Sequence, residues 1–479
     1  MTNHRLITVL LSAVALLAAA PAAAFAAAAS DPQFAAQEPL RILRVADALD
    51  EVAQPLADVP VLVADTGLDL THPDISPRLF SLPAATPAPT VEGLPNPAPT
   101  IPAGAHGWDL IGNAPPDTPF QPDADPSDVG GHGTAVAGIL GAAWNNGQGG
   151  AGVAPNARFL ALRTCWVDDD CYQNVQAAAV AWAIARGVRV VSFSWLADPA
   201  DDDLVPVIKA NPNVLFVTIP SGNGEAGADI DGENPYPCNV NAPNVLCVST
   251  SSPTDGLDCG GSGATAVDVA VPTQNNVMTT NGGGFAPTGC ATSFASPTAA
   301  GLATILFGID PSASAADVRA AIVDSARSVP AWQGKSVSGG IADAAAAVAL
   351  FQQRRGIAPR PPSGTDSSST TTPPVTRPAA TDRTAPNVRL AIVAGTRLRV
   401  TLSEPARVSI ALQRRARCRG GRPCWKPVGP ARTASLPRGA TTLRLAPHGL
   451  PRGQFRVVIR ARDAAGNAAT KTLAFRGPR

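Results

Sequence analysis

Three short segments carry side chains that could do chemistry. Val63-Ala64-Asp65-Thr66-Gly67 is an apolar run that ends on a carboxylate. Gly131-His132-Gly133-Thr134 places an imidazole directly before a helical run. Thr292-Ser293-Phe294-Ala295-Ser296-Pro297 places a hydroxyl at the head of another. Taken singly, each has an ordinary structural explanation: a turn after a strand, a helix-start residue, an N-cap. Taken together they meet one chemical demand. A serine hydroxyl is a poor nucleophile at neutral pH and needs a base beside it. Histidine titrates near the working pH and can take that proton. A buried carboxylate then fixes the imidazole tautomer and stabilises the imidazolium. A serine at a helix start also lies near exposed amides that favour a developing oxyanion.

The order Asp65, His132, Ser293 and the residues around them resemble the subtilisin-like serine proteases. The likeness continues through Leu68-Asp69-Leu70-Thr71-His72-Pro73-Asp74 and through Gly152-Val153-Ala154-Pro155-Asn156-Ala157, and it covers roughly residues 31–350. It implies a catalytic triad of Asp65, His132 and Ser293. It also implies a secreted serine endopeptidase that cuts protein or peptide substrates through an acyl-enzyme. The implied fold is α/β, with three layers around a parallel central sheet. Ser221-Gly222-Asn223-Gly224 matches the family's oxyanion segment, so Asn223 is expected to donate to the oxyanion beside the Ser293 N–H. Ser194-Trp195-Leu196 falls on the substrate-edge segment and is expected to bind substrate. Two residues depart from the family pattern: Ala291 stands where glycine usually precedes the nucleophile by two positions, and Leu196 replaces a glycine beside the primary pocket. They support a rival from another class, a catalytically silent binding or adhesion protein on a protease fold. The short interval between the leader and Asp31 leaves no room for the prodomain common in the family. The chemistry requires no cofactor. Calcium is common in the family, and Asp123, Asp125 and Asp128 are acidic candidates that also read as a solvated loop.

These residues need elements to hold them. Apolar runs at 59–64, 159–162, 188–193, 214–219, 245–248 and 267–271 read as buried strands. Helical patterns at 134–143 and 175–186 lie between them, and two more at about 315–327 and 341–354 close the domain. Strand and helix in alternation predict a parallel sheet covered on both faces, with its chemistry in the loops at the strand ends. Residues 81–127 are rich in proline and read as a surface loop.

The chain of 479 residues divides by composition. Residues 1–29 read as a secretory signal. His4 and Arg5 precede an apolar stretch from Leu6 to Ala20, and Ala24-Phe25-Ala26 is one cleavage site. The catalytic domain is expected at 30–355 and a Pro/Ser/Thr linker at 356–386. Short alternating strands at 388–393, 398–402, 408–412, 442–445 and 455–461 predict a small β-sandwich over 387–479. Arg462-Asp463-Ala464-Ala465-Gly466-Asn467 is similar to the last turn of bacterial immunoglobulin-like domains. The formal net charge of zero hides an asymmetry: residues 386–479 carry 20 Lys+Arg against 2 Asp+Glu, and the rest 17 against 35. A domain this basic suits anionic cell-envelope polymers. Scarce aromatics and the lack of a binding motif argue against specific nucleic-acid recognition. No stretch after the leader is apolar for the ~20 residues of a membrane span, and the mature protein is expected to be a monomer. Eight cysteines in an exported chain favour disulfides over zinc, since no CxxC pair is present. Among the 105 connectivities that eight cysteines allow, the spacing favours the neighbour pairs Cys165–Cys171, Cys238–Cys247 and Cys418–Cys424, which leaves Cys259 and Cys290 for each other.

Overall fold

The computed structural model describes residues 30–91, 99–112, 120–166, 171–196 and 203–360 (without 222, 225, 234 and 241). Beyond these it describes 387–476 without 395–396, 404–405, 418–422, 429–431, 437–438, 446–452 and 463–466. The signal at 1–29, most of the linker and Cys418 therefore lie outside the described residues, as does the centre of the Arg462–Asn467 motif. The backbone forms two compact units, Met1–Asp366 and Ser367–Arg479.

In the first unit the strands are β1 (Val59–Asp65), β2 (Thr86–Pro87), β3 (Thr100–Ile101), β4 (Gly107–Asp109), β5 (Ala157–Arg163), β6 (Val190–Ser192), β7 (Leu215–Thr218), β8 (Val245–Ser251), β9 (Val269–Pro272), β10 (Val277–Thr280), β11 (Gly284–Pro287), β12 (Arg327–Ser328) and β13 (Gly340–Ile341). The helices are α1 (Glu38–Ile42), α2 (Val45–Glu51), α3 (His132–Gly141), α4 (Gln173–Ile184), α5 (Leu204–Ala210), α6 (Ala295–Ile309), α7 (Ala315–Asp324) and α8 (Ala344–Arg355). Nine strands form one sheet in the order β12-β13-β9-β8-β7-β6-β1-β5-β4, parallel except for β12 at one edge.

Both faces of this sheet are covered, and the strands show it residue by residue. Val61 and Val63 of β1, Phe159 and Ala161 of β5, and Leu215 and Val217 of β7 pack on one side, with α3, α6, α7 and α8. Leu62, Ala64, Leu160, Leu162 and Phe216 point to the other side, against α4 and α5. Successive side chains of a strand alternate between faces, so a run apolar at every position can only be a strand buried on both. The expected strands and helices are present within a few residues of their predicted bounds. The proline-rich segment 81–127 is more than a surface loop. It supplies the edge strand β4, whose Trp108 is buried in the second core with Leu110 and Ile111. Three residues between proline-rich flanks are too few to show a period.

β1 is the switch point of the sheet. The chain runs from it to β4 and β5 on one side, then crosses to β6, β7, β8 and β9 on the other. Ligands of such sheets sit outside the carboxyl ends of the strands at that point, which is where Asp65 ends β1. The stretch Thr292–Ile309, containing α6, is long and apolar enough to cross a membrane, but it is 83% buried and packs on β1, β6, β7, β8 and β9. It is the core helix of this unit.

The second unit contains β14 (Val388–Ala394), β15 (Arg397–Leu402), β16 (Ala406–Arg417), β17 (Pro423–Pro427), β18 (Arg432–Leu436), β19 (Gly439–Arg444), β20 (Gln454–Arg462) and β21 (Ala468–Arg476). They make two antiparallel sheets, β14-β15-β19 and β17-β16-β20-β21 with β18 also on β16. Val388, Leu398, Val400 and Leu402 of one sheet share a core with Val408, Val457 and Ile459 of the other. The pattern is that of a β-sandwich.

At the carboxyl ends of β4 and β5, Asp109 and Arg163 are register partners, both buried, with Nη1 2.8 Å from Oδ2. The N–H groups of Ile111 and Gly112 donate to Oδ1 at 2.9 and 2.8 Å. Burial still pushes the Asp109 carboxyl up to about 6, against those N–H donors and the guanidinium. The folded chain therefore holds this proton more tightly than the unfolded chain, where carboxylates titrate near about 4. The contribution of Asp109 to stability must fall as pH rises from about 4 to about 6. Across that window the slope of the denaturation midpoint against pH should be shifted in the positive direction for Asp109→Asn relative to the parent protein. An identical slope in the two proteins would contradict the assignment.

Candidate active site

Asp65 is the last residue of β1 and is 4% exposed. Its Oδ1 accepts from the Thr66 N–H at 2.7 Å, and its carboxylate lies 2.9 and 3.0 Å from Nδ1 of His132. His132 opens α3, and two glycines bring it there. Gly131 precedes the helix at φ 86°, a conformation that side chains rarely adopt. A Cβ on Gly133 would lie 2.2 Å from the Gly67 carbonyl oxygen and 3.1 Å from Asp65 Cβ, so only glycine lets the helix start come this close to the strand end. With Nδ1 facing the carboxylate, Nε2 of the same ring faces away from it.

The loop before α3 is held by Asp128. Its Oδ1 accepts from the N–H groups of Gly130 and Gly131 and from the Thr66 hydroxyl, and its Oδ2 accepts from the N–H and hydroxyl of Thr134. One carboxylate thus satisfies donors at the helix start and ties the helix to the end of β1. Sequence reasoning placed Asp128 only in an acidic trio. In the trio, Asp123 accepts from the Asp125 N–H, and Asp125 from the N–H and hydroxyl of Ser127. Asp123 and Asp125 thus accept within their own loop and Asp128 from the end of β1 and the start of α3, and the three do not gather into a metal cluster among the described residues. Asp74 differs. It is buried, its Oδ1 takes the Asn146 amide, its Oδ2 has no hydrogen-bond partner among the described residues, and burial raises its pKa. A proton or a hard cation would satisfy that oxygen.

Ser293 lies in a single 3-10 turn, Thr292–Phe294, that leads into α6. Its hydroxyl donates to the Ser194 carbonyl at 3.2 Å, and its own carbonyl accepts from the Ser194 hydroxyl at 2.8 Å. Ser194, expected on the substrate edge, thus also clamps the turn that carries Ser293. Three residues further on, the Ser296 hydroxyl lies 2.9 Å from that of Ser192 and donates to the Val217 carbonyl at 3.0 Å, which pins α6 to β6 and β7. Ala291 is extended, at φ −155° and ψ 135°, a conformation open to any residue. A Cβ at this position imposes no backbone strain. Trp195 is buried, with its ring 5.0 Å from Phe193 in the second core, whereas Leu196 is 44% exposed.

Asn223 is joined to the same turn. Its Oδ1 accepts from the Thr292 N–H at 2.8 Å and from the Thr292 hydroxyl at 3.2 Å. The amide is thereby oriented with its NH2 group on the side away from Thr292. The neighbouring Gly224 N–H donates to the Cys259 carbonyl, and Cys259 is disulfide-bonded to Cys290. That bond cross-links the Cys259 loop to the segment that leads into Ser293, and the segment of Asn223 reaches it through the Gly224 hydrogen bond. A second disulfide, Cys165–Cys171, closes the loop after β5, where the Thr164 and Cys165 N–H groups donate to the Asp65 carbonyl. Cys238–Cys247 is the third; the expected Cys418–Cys424 pair lies outside the described residues. A further support escaped sequence reasoning. The hairpin β10–β11 reaches α3, with the Thr279 hydroxyl donating to the Thr134 carbonyl and Gly282 and Gly283 N–H groups to Asp69 Oδ2. Its signal was the Asn281-Gly282-Gly283 turn.

The arrangement brings a buried carboxylate, an imidazole it can orient, a serine at a helix start and an amide donor to the carboxyl ends of neighbouring strands. The sequence profile of the Peptidase S8, or subtilase, family matches residues 57–356. The chain is 29% identical over 246 residues to the thermophilic serine proteinase of Bacillus sp. (strain AK1), covering 51% of this chain and 51% of that one. It is 27% identical over 266 residues to thermitase of Thermoactinomyces vulgaris, covering 56% of this chain and 80% of that one. It is 29% identical over 196 residues to the minor extracellular protease Epr of Bacillus subtilis (strain 168), covering 40% and 29% respectively. The chain thus spans about half the length of the first of these relatives. A solved protease from Pseudoalteromonas arctica PAMC 21717 superimposes with a TM-score of 0.53 at 23% identity, over 68% of this chain and 99% of that one, which is a likeness of fold. The chain belongs to the subtilase family.

Proposed function

We propose that this protein is a secreted serine endopeptidase that hydrolyses peptide bonds through Ser293, His132 and Asp65. The observation that carries the reading is the pairing of His132 Nδ1 with the buried Asp65 carboxylate, in a frame that also ties Ser293 and Asn223 to one turn. The Ser293 hydroxyl passes its proton to His132 Nε2 and attacks the substrate carbonyl. Asp65 keeps the imidazole in the tautomer with Nδ1 protonated and stabilises the cation. The tetrahedral oxyanion takes the Asn223 amide and the Ser293 N–H. His132 then protonates the leaving amine, and water releases the acyl group by the same route in reverse. Ser194, which is hydrogen-bonded to Ser293, begins the substrate-edge segment, and the exposed Leu196 side chain lines the primary pocket. The buried Trp195 supports that segment from beneath.

Export is supported by the leader sequence and by three disulfides, a pattern of oxidising compartments. The basic C-terminal unit holds the enzyme on anionic material of the cell envelope. Its charge attracts over a Debye length of about 8 Å at physiological salt.

Two substitutions test the chemistry. Ser293→Ala should lower peptide turnover on the order of 10⁶-fold with the fold intact, as removal of a triad nucleophile does; turnover near that of the parent would remove the reading. Asn223→Ala should lower kcat by roughly 10²–10³-fold at nearly constant KM, because an oxyanion donor acts only as the charge forms. A raised KM with unchanged kcat would instead make Asn223 a substrate-binding residue.

A further inference from the structure

The sheet β17-β16-β20-β21 has one face on the sandwich core, through Val408, Val457 and Ile459. Alternation sends Gln413 and Arg415 of β16, and Gln454, Arg456 and Arg460 of β20, to the opposite face. The register places Gln413 beside Arg456, and Arg415 beside Trp425 of β17. These neighbours are locked together. Arg456 Nε donates to Gln413 Oε1 at 2.6 Å, Arg415 Nη1 donates to Gln454 Oε1 at 2.7 Å, and the Arg456 guanidinium lies over the Trp425 ring at 4.8 Å.

Three consequences follow. The two amide oxygens are the only acceptors among these six side chains, and each accepts from an arginine. The group is therefore rich in donors: guanidinium N–H, amide NH2 and indole N–H groups. Second, the arginines are held in place on strands, so their planar forks lose little freedom when they bind. Third, residues 386–479 have only 2 carboxylates against 20 Lys+Arg, so this unit cannot neutralise itself. A flat face of fixed donors around one half-buried indole suits a ligand that is anionic, rich in acceptors and partly apolar. A sugar ring bearing a carboxylate has all three properties. Nucleic acid fits less well, because single strands need successive aromatic platforms.

We propose that Gln413, Arg415, Trp425, Gln454 and Arg456 form a docking site for an acidic polysaccharide. Arg415 and Arg456 take carboxylates, the glutamine amides take hydroxyls, and a sugar ring lies against Trp425. This rests on the reading of the basic unit as the part that holds the enzyme on anionic material, and it gives that reading a place and a ligand class.

The test uses the full chain, with polygalacturonate as probe, dextran as neutral control, and DNA and polyphosphate as other polyanions, each titrated at about 50 and 300 mM salt. Arg456→Gln and Trp425→Ala should each weaken polygalacturonate binding about tenfold, the loss of one charge-assisted pair or one ring contact. Arg389→Gln on β14, which removes the same charge from the other sheet, should leave it within about twofold. Arg415→Gln repeats the test if Trp425→Ala disturbs its strand, and peptide turnover reports that the catalytic unit is unchanged. Equal losses for all the arginine variants, with salt-sensitive binding kept, would overturn this site and retain the charge-based reading. Binding of DNA that is tighter than that of polygalacturonate and is lost in Trp425→Ala would overturn the ligand class. Failure to bind any polyanion would overturn both readings.

Discussion

Everything at the catalytic edge follows from one buried carboxylate. Asp65 ends a strand whose other residues are apolar and enclosed on both faces, so its charge sits where water cannot solvate it well. Such a charge must be met by hydrogen bonds or partners. The Thr66 N–H meets it from one side and His132 from the other. The demand of that carboxylate explains why α3 begins at His132, why glycine flanks the histidine, and why Asp128 ties the helix start back to Thr66.

The other half of the site is assembled by covalent and hydrogen-bonded ties between distant parts of the chain. Asn223 and Thr292 are 69 positions apart, yet one amide oxygen joins them. The Cys259–Cys290 disulfide joins the segment before Thr292 to a loop that the Gly224 N–H also binds, and Ser194 clamps Ser293 from β6's side. A cross-link of this span restricts the unfolded chain by roughly 2–4 kcal/mol. The hydrogen bond between Asn223 and Thr292 sets the place of the amide against the Ser293 turn, and electrostatic catalysis depends on such placement. The disulfide at Cys165–Cys171 does the equivalent for the loop that hydrogen-bonds the Asp65 carbonyl.

Much of this was legible in the sequence. The six central strands announced themselves because a strand buried on both faces is apolar at every position, as in Val61-Leu62-Val63-Ala64. The three chemical segments were legible because each pairs a reactive residue with the glycine, threonine or proline that its turn requires. Cys165–Cys171 and Cys238–Cys247 followed from nearest spacing, and Cys259–Cys290 was the pair then left over. What was hidden is what depends on contacts across the fold. β4 is three residues long, and the β10–β11 hairpin declares itself only by its turn. Asp128 looked like part of an acidic loop until its five donors were placed around it. The clamp by Ser194, the extended backbone at Ala291 and the burial of Trp195 beside an exposed Leu196 are likewise matters of packing, which no local pattern encodes.

The central claim is that Ser293 is an activated nucleophile because His132, held by Asp65, takes its proton. Labelling with a fluorophosphonate, followed by peptide mapping, tests this most directly, since the probe reacts with activated serines and not with ordinary ones. The account predicts one adduct per chain, on the peptide that contains Ser293, and its disappearance in His132→Ala. An unlabelled parent protein, or an adduct on Ser293 that persists undiminished without His132, would contradict it.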